Sequence, residues 1–135
     1  MQLGRIATAL AIPVGAVLTF AAPASAAAPS AQAAASPPSA CYGGYSYDGG
    51  AFACFAPYGE HLWVCDTGLN HHPVVNYAIN GGSYSGNRHY YPGNGKCVDI
   101  DLDIAETGYI TFTISNYEGS TFVSGSRLYE VSAGD

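Results

Sequence analysis

Three aspartates at alternating positions, Asp99, Asp101 and Asp103, are the first residues whose type and spacing could bind a ligand. Carboxylate oxygens are the ligands that Ca²⁺ prefers, and the spacing matches the start of an EF-hand loop. However, Ile104 stands where that loop needs glycine, and Ile110 where it needs glutamate. On a strand, alternate residues also lie about 6.5–7 Å apart, too far for all three to hold one ion tightly. The favoured interpretation is a solvated strand face, and a weak calcium site is the alternative.

The four histidines form no pattern typical of a metal enzyme. His71 and His72 are adjacent, whereas His61 and His89 stand alone. No pair has the i, i+4 spacing that zinc enzymes use on a helix. The default interpretation is that these are surface or turn histidines, and a metal site built from distant histidines is the alternative. Apart from the weak calcium candidate, we predict no metal centre, and we predict no cofactor.

Patterns for other catalytic chemistry are equally weak. Residues 82–86, Gly-Ser-Tyr-Ser-Gly, do not place a serine between two glycines at the spacing of a G-x-S-x-G elbow. Paired carboxylates could cleave a glycosidic bond, so a small hydrolase stays open as an alternative to the favoured non-enzymatic interpretation. The carboxylates available for such a pair are Glu60, Asp66, Glu106, Glu118 and Glu130.

Tyrosine provides the strongest functional signal, with eleven residues in the chain. Its ring offers a flat apolar face and a polar tip, which suit protein surfaces and sugar rings alike. Strand propensity and core packing are the competing explanation, and Trp63, which alternates with Leu62 and Val64, is predicted to lie in the core. Seven tyrosines in loop-like stretches form the predicted binding surface: Tyr42, Tyr45, Tyr47, Tyr58, Tyr84, Tyr90 and Tyr91.

The N-terminal residues predict export. Residues 1–26 have the pattern of a secretory signal peptide, with Arg5, an apolar run over residues 6–20 and a small-residue exit at residues 24–26. Residues 27–40 lack charge, aromatic rings and β-branched side chains, so they are predicted to form a disordered Ala/Pro/Ser-rich leader. The protein is therefore predicted to be secreted and extracellular, with no membrane association after cleavage.

Residues 41–135 are predicted to be one folded domain cross-linked by the four cysteines, because an exported chain meets an oxidising compartment. Four cysteines allow three pairings. The favoured pairs are Cys41–Cys54 and Cys65–Cys97, which would fasten the N-terminal arm to the first strand and the second strand to the fifth.

Net charge narrows the class of partner. Ten acidic residues stand against four basic ones, and the formal net charge is −6. Such a surface repels phosphate backbones, so nucleic acid is not an expected partner, and an anionic membrane surface is disfavoured for the same reason.

Periodicity predicts strands and almost no helix. Residues 97–104 and 109–116 alternate apolar and polar side chains, and we expect them to pair antiparallel. About seven short strands predict an all-β fold, a small antiparallel β-sandwich stapled by two disulfides, with a small β-barrel as the alternative. The other predicted strands are residues 51–56, 61–66, 74–80, 83–91 and 121–131, with a hairpin turn at 57–59 and a bulge at Gly125.

Several short motifs resemble a group of small secreted proteins of actinobacteria. They are Gly50-Ala51-Phe52, residues 58–67 (Tyr-Gly-Glu-His-Leu-Trp-Val-Cys-Asp-Thr), Val74-Val75 and Gly95-Lys96-Cys97. Residues 104–108 match that group's I-x-E-G turn with one residue added, and residues 66–72 differ from its D-x-x-D-G turn. The resemblance implies a secreted, disulfide-containing β-domain, and it transfers no activity and no functional residue.

Together these patterns predict a secreted, non-enzymatic binding protein that contacts an extracellular protein or a glycan through tyrosine-rich loops. The first alternative is an inhibitor of an extracellular hydrolase, although the Trp-Arg-Tyr triplet of one well-known class of α-amylase inhibitors is absent. The second is the small carboxylate-dependent hydrolase.

Overall fold

The computed structural model describes residues 31–34 and 36–134, and the predicted signal peptide lies outside them. Within the described residues no helix is long and apolar enough to cross a membrane. The described strands, in chain order, are β1 (Ala31–Ala34), β2 (Tyr42–Tyr45), β3 (Ala51–Ala56), β4 (His61–Asp66), β5 (His72–Ile79), β6 (Arg88–His89), β7 (Cys97–Asp101), β8 (Tyr109–Glu118), β9 (Thr121–Ser124) and β10 (Tyr129–Ser132).

The strands form two antiparallel sheets that pack face to face. Sheet 1 has the order β1-β7-β4-β3-β2, and sheet 2 has the order β10-β8-β5-β6, with β9 also paired to β8. The predicted all-β sandwich is therefore confirmed, and the chain does not form the closed barrel of the alternative. It has more strands than the seven predicted, partly because short pieces such as β2 and β9 lack a clear alternating pattern.

Aliphatic and aromatic side chains from the inner faces of both sheets build the core. The predicted inward sets, at Val98 and Ile100 of β7 and at Ile110, Phe112 and Ile114 of β8, are buried and belong to one cluster. Period-two alternation places them there, since successive side chains of a strand point to opposite faces. The core cluster also contains Ala51, Ala53, Phe55, Leu62, Val64, Val75, Leu102, Ile104 and Ala133.

The predicted pairing of the two most regular segments is wrong. β7 pairs with β4 and β1 in sheet 1, whereas residues 110–117 of β8 pair with the whole of β5 in sheet 2. The turn at residues 105–108 carries the chain from one sheet to the other. Two alternating segments joined by a short turn have the same sequence pattern whether they pair in one sheet or face each other across the core, so the pattern could not distinguish the two arrangements.

Both favoured disulfides are present, Cys41–Cys54 and Cys65–Cys97. The second joins residues that are direct register partners on β4 and β7. Trp63 shares the outer face of sheet 1 with Cys65 and is half-buried there, outside the core cluster, so its predicted core position is wrong. Its alternation with Leu62 and Val64 defined two faces but not which face was inner.

Part of the predicted disordered leader is a strand, because Ala31–Ala34 pairs with residues 97–100 of β7. Strand pairing uses backbone N–H and C=O groups, so a segment with small side chains can still extend a sheet. β1 and β2 lie at opposite edges of sheet 1, and the chain between them must cross from one edge to the other.

Two other predicted strands are shorter than expected. Only Arg88–His89 of the segment at residues 83–91 is a strand. The last predicted strand, residues 121–131, divides into β9 and β10. In the gap between them, the Ser126 hydroxyl accepts a hydrogen bond from the Ile114 backbone N–H at 3.0 Å, so a side chain replaces the missing strand partner.

Candidate functional site

Six of the seven predicted binding tyrosines are exposed, but they do not form one patch. Tyr90 is the exception, because it is half-buried and packs against the core. Burial raises the pKa of the Tyr90 phenol, and the nearby Tyr77 phenol adds to that increase. The exposed six fall into three groups at the two ends of the sandwich and along the segment after β5.

Strand register separates the first two groups. Tyr42 pairs with Phe55, next to the β3–β4 turn, whereas Tyr45 pairs with Phe52 at the other end of β3. Tyr45 packs on Phe52 with ring centroids 4.8 Å apart. Tyr47 lies beyond it, where its backbone N–H donates to the carbonyl of Gly125 at 2.7 Å. Of these three tyrosines, only Tyr42 therefore shares an end of the sandwich with Tyr58.

Two cavities lie at that end, of about 470 Å³ and about 420 Å³, and they share the lining residues Pro57, Tyr58 and Gly134. The two cavities together are called the cleft below, and Tyr58 lines both. Tyr42 lines the smaller one. The Tyr42 and Tyr58 side chains are 56% and 88% exposed, so two large rings remain in contact with solvent beside a concave surface.

The turn that carries Tyr58 is held by its backbone. Gly59 and Glu60 both have positive φ, 84° and 54°, a conformation that glycine adopts without strain and glutamate rarely adopts. The Glu60 N–H donates to the Pro57 carbonyl at 3.1 Å, and the Leu102 N–H donates to the Glu60 carbonyl at 3.0 Å. The first bond closes the turn and the second joins it to the segment after β7, so both hold the backbone that carries Tyr58 in place.

Three carboxylates and no cationic side chain are among the residues lining the cleft. Glu60 and Glu106 line the larger cavity, and Glu130 lines the smaller one. Gly134 completes the wall, and a Cβ there would lie 2.5 Å from the Glu106 carbonyl oxygen, so only glycine fits this approach. The cleft thus combines aromatic faces with hydrogen-bond acceptors.

The three aspartates of the weak calcium candidate do not gather into a site. Asp99 Oδ1 lies 2.7 Å from His61 Nδ1, whereas Asp101 ends β7 and Asp103 lies beyond it. Across residues 31–34 and 36–134, no group of three or more His, Cys, Asp or Glu side chains is arranged to hold a metal ion.

A histidine–aromatic cluster on the outer face of sheet 2 was missed by sequence analysis. His72 Nε2 and His89 Nδ1 share a hydrogen bond of 2.8 Å, and the Tyr91 ring lies tilted against His72 with centroids 4.4 Å apart. Tyr117 meets the His89 ring edge-on at 5.0 Å, and Phe122 continues the contact at 5.7 Å from Tyr117. No spacing signal could have joined His72 to His89, because their contact depends on the register between β5 and β6.

Burial lowers the pKa of His72, and repulsion from a positive charge on His89 or His71 lowers it further, while Asp66 acts in the opposite direction. The His72 imidazole, only 6% exposed, is therefore held in its neutral form at neutral pH.

No family model matches the chain, and the searches of curated proteins and of solved structures find no similar protein.

Proposed function

We propose that the protein is a secreted, non-enzymatic glycan-binding protein whose binding site is the cleft between Tyr42 and Tyr58. The observation that carries this proposal is the pair of exposed tyrosine rings lining one cleft together with glutamates. Aromatic rings stack on the apolar faces of sugars, and carboxylates accept hydrogen bonds from sugar hydroxyls.

The charge of the cleft narrows the class of glycan. Glu60, Glu106 and Glu130 contribute negative charge, and no lysine, arginine or histidine is among the lining residues. A uronic acid or a sulfated sugar would bring like charges together, which is unfavourable. The expected ligand is therefore a neutral or amino-bearing polysaccharide.

Export is part of the same proposal. The leader pattern at residues 1–26 predicts secretion, and two disulfides with no free cysteine among the described residues are typical of proteins that fold outside the cytosol. An extracellular location would bring the cleft into contact with cell-wall and environmental polysaccharides.

Retention on insoluble polysaccharides tests the proposal. Purified residues 27–135 are incubated with neutral, amino-bearing and acidic polysaccharides, and the bound fraction is measured against concentration. We expect saturable binding that weakens by about twofold to thirteenfold in Tyr58→Ala, since an aromatic ring contact contributes on the order of 0.5–1.5 kcal/mol. Tyr47→Ala is the matched control, because Tyr47 is 80% exposed at the opposite end of the sandwich.

Other outcomes of this experiment would assign the protein differently. Equal retention of Tyr47→Ala, Tyr58→Ala and the parent protein would remove the cleft from the binding site. A stoichiometric protein captured from culture fluid, with no polysaccharide retention, would favour the inhibitor alternative.

A small hydrolase is the second candidate, because Glu60 and Glu106 line the same cavity. A pair of carboxyl groups across a cleft is the arrangement that glycoside hydrolysis uses. Release of reducing ends from a bound polysaccharide, abolished in both Glu60→Gln and Glu106→Gln, would support it. Binding without such release would support the non-enzymatic proposal.

A further inference from the structure

We propose that His72 and His89 form a two-ligand site for a divalent transition-metal ion, with Cu²⁺ as the preferred ion. The pair lies on the outer face of sheet 2, away from the Tyr42–Tyr58 cleft. The proposal therefore does not depend on glycan binding.

Strand register brings the two rings together. His89 is the direct partner of Val74 across β5 and β6. His72 precedes Val74 by two residues and so points to the same face of the sheet. The two imidazoles meet diagonally, with His72 Nε2 at 2.8 Å from His89 Nδ1.

The separation of these nitrogens fits cis coordination of one ion. Two imidazole nitrogens about 2.0–2.1 Å from a metal lie about 2.9 Å apart at a right angle, and about 3.3–3.4 Å apart at the tetrahedral angle. The observed 2.8 Å is a hydrogen bond in which one of the two nitrogens carries the proton. A bound ion would displace that proton to solvent, and the separation is close to the right-angle value of a tetragonal Cu²⁺ site. Rotation of the rings to direct both lone pairs at the ion completes the arrangement.

The surroundings favour an oriented pair. The Tyr91 ring lies tilted against His72 and the edge of Tyr117 contacts His89, so both rings are held by aromatic contacts. A histidine must be neutral to bind a metal, so the ion competes with protons for both rings. Cu²⁺ stands highest in affinity among the first-row divalent ions for nitrogen ligands.

The remaining ligands are expected to be water. In the part of the chain that the structure describes, no third His, Cys, Asp or Glu completes a protein cage around the pair. A tetragonal Cu²⁺ ion with two nitrogens and water oxygens is consistent with that composition. The net charge of −6 attracts cations to the whole surface, and the His72 and His89 imidazoles would determine where on that surface the Cu²⁺ ion binds.

Titration of metal-free residues 27–135 with Cu²⁺ at pH 7 tests the site by two readouts. Electron paramagnetic resonance should show a tetragonal spectrum with splitting from two imidazole nitrogens. Paramagnetic broadening in an amide NMR spectrum should centre on β5 and β6 near Val74 and Arg88. Broadening at a free chain terminus would be recognised by its different position.

His89→Asn is the principal variant, because His89 is exposed and its replacement leaves the core intact. We expect loss of one nitrogen splitting and at least about tenfold weaker Cu²⁺ binding, since even changes that only support a metal ligand cost about 10–100-fold. His72→Gln should act in the same way, with its fold checked by circular dichroism because His72 is buried.

His61→Asn and His71→Asn are the controls, because His61 lies on the other sheet beside Asp99 and His71 lies 3.8 Å from Glu118. Both should keep the affinity and the two-nitrogen spectrum. The proposal is overturned if Cu²⁺ binds His89→Asn as tightly as the parent protein, if His71→Asn loses binding to the same extent, or if broadening centres away from β5 and β6.

Discussion

Asp48 holds the β2–β3 loop against sheet 2, and its replacement by alanine should destabilise the domain. Its Oδ1 accepts hydrogen bonds from the Ser46 hydroxyl at 2.6 Å and from the Gly50 N–H at 3.1 Å. Its Oδ2 accepts one from the Asn116 side-chain amide at 2.9 Å. Asn116 belongs to β8, so this carboxylate links a loop of sheet 1 to a strand of sheet 2.

The expected cost follows from which of these partners are buried. Asn116 is 1% exposed and its Oδ1 already lacks a partner, so Asp48→Ala leaves a second buried polar atom unpaired. Such a loss costs about 1–3 kcal/mol. The Ser46 hydroxyl keeps its bonds with Ala51, so the further cost comes mainly from the Gly50 N–H bond and is about 0.5–1.5 kcal/mol. We therefore expect a decrease of about 1.5–4.5 kcal/mol in the free energy of unfolding, and for a domain of this size Tm should fall by about 6–36 °C.

The same carboxylate should contribute to acid sensitivity. Burial, the largest single effect, raises the pKa of Asp48, but hydrogen bonds from Ser46, Asn116 and the backbone N–H groups of Gly50 and Asp48 together lower it below 3.8. A lowered pKa stabilises the folded state at higher pH, and that stability is lost as the pH falls from about 3.8 through the lowered value. Asp48→Ala should lose this component of the pH dependence.

Urea unfolding of residues 27–135, followed by circular dichroism, measures the effect. Asp101→Ala is the matched control, since it removes an exposed carboxylate at the end of β7 and should change stability by less than about 0.5 kcal/mol. If Asp48→Ala unfolds at the same urea concentration as Asp101→Ala, the link between loop and strand does not stabilise the fold, and the reasoning from burial of Asn116 is refuted.

Three further predictions use the same unfolding assay. Replacing Cys65 and Cys97 together by alanine should lower the free energy of unfolding by about 3–4 kcal/mol, because the disulfide closes a loop of 32 residues and so lowers the entropy of the unfolded chain. A change below about 1 kcal/mol would contradict that effect. Phe112→Ala should cost about 3–5 kcal/mol, because Phe112 is fully buried between the sheets, and a near-neutral result would contradict that packing. Because burial lowers the pKa of His72 below 6.5, the unfolded chain binds its proton more readily. The contribution of His72 to the free energy of unfolding should therefore be fully present above about pH 6.5 and should fall as the pH decreases towards the lowered pKa. His72→Gln should remove this part of the pH dependence of stability. An unchanged pH profile in that variant would contradict the prediction.

Local pattern was sufficient for many elements of the fold. The hairpin of β3 and β4 around the turn at residues 57–59 is confirmed, and so are the inward faces of β7 and β8 and both disulfide pairs. The hairpin and the inward faces depend on alternation and turn residues, which are visible within a few residues. The cysteine number indicated two cross-links, but it left three pairings open, and only the structure selects between them.

Features that depend on a distant partner could not be derived in the same way. β7 and β8 have clear alternation, but nothing in either segment says that its neighbour along the chain lies in the other sheet. The meeting of Tyr42 with Tyr58 in one cleft depends on the register of β2 on β3. Of seven tyrosines that looked equivalent in the sequence, six fall into three exposed groups and Tyr90 packs against the core.

By itself, the sequence determined that this chain is an all-β, cysteine-cross-linked domain with an acidic surface, because strand period, cysteine number and charge are properties of the residues themselves. Tertiary structure alone decided which strands pair beyond the β3–β4 hairpin, which tyrosines share a cleft and that His72 meets His89. Those outcomes depend on packing two sheets over one core, and that arrangement sets contacts between residues far apart in the chain.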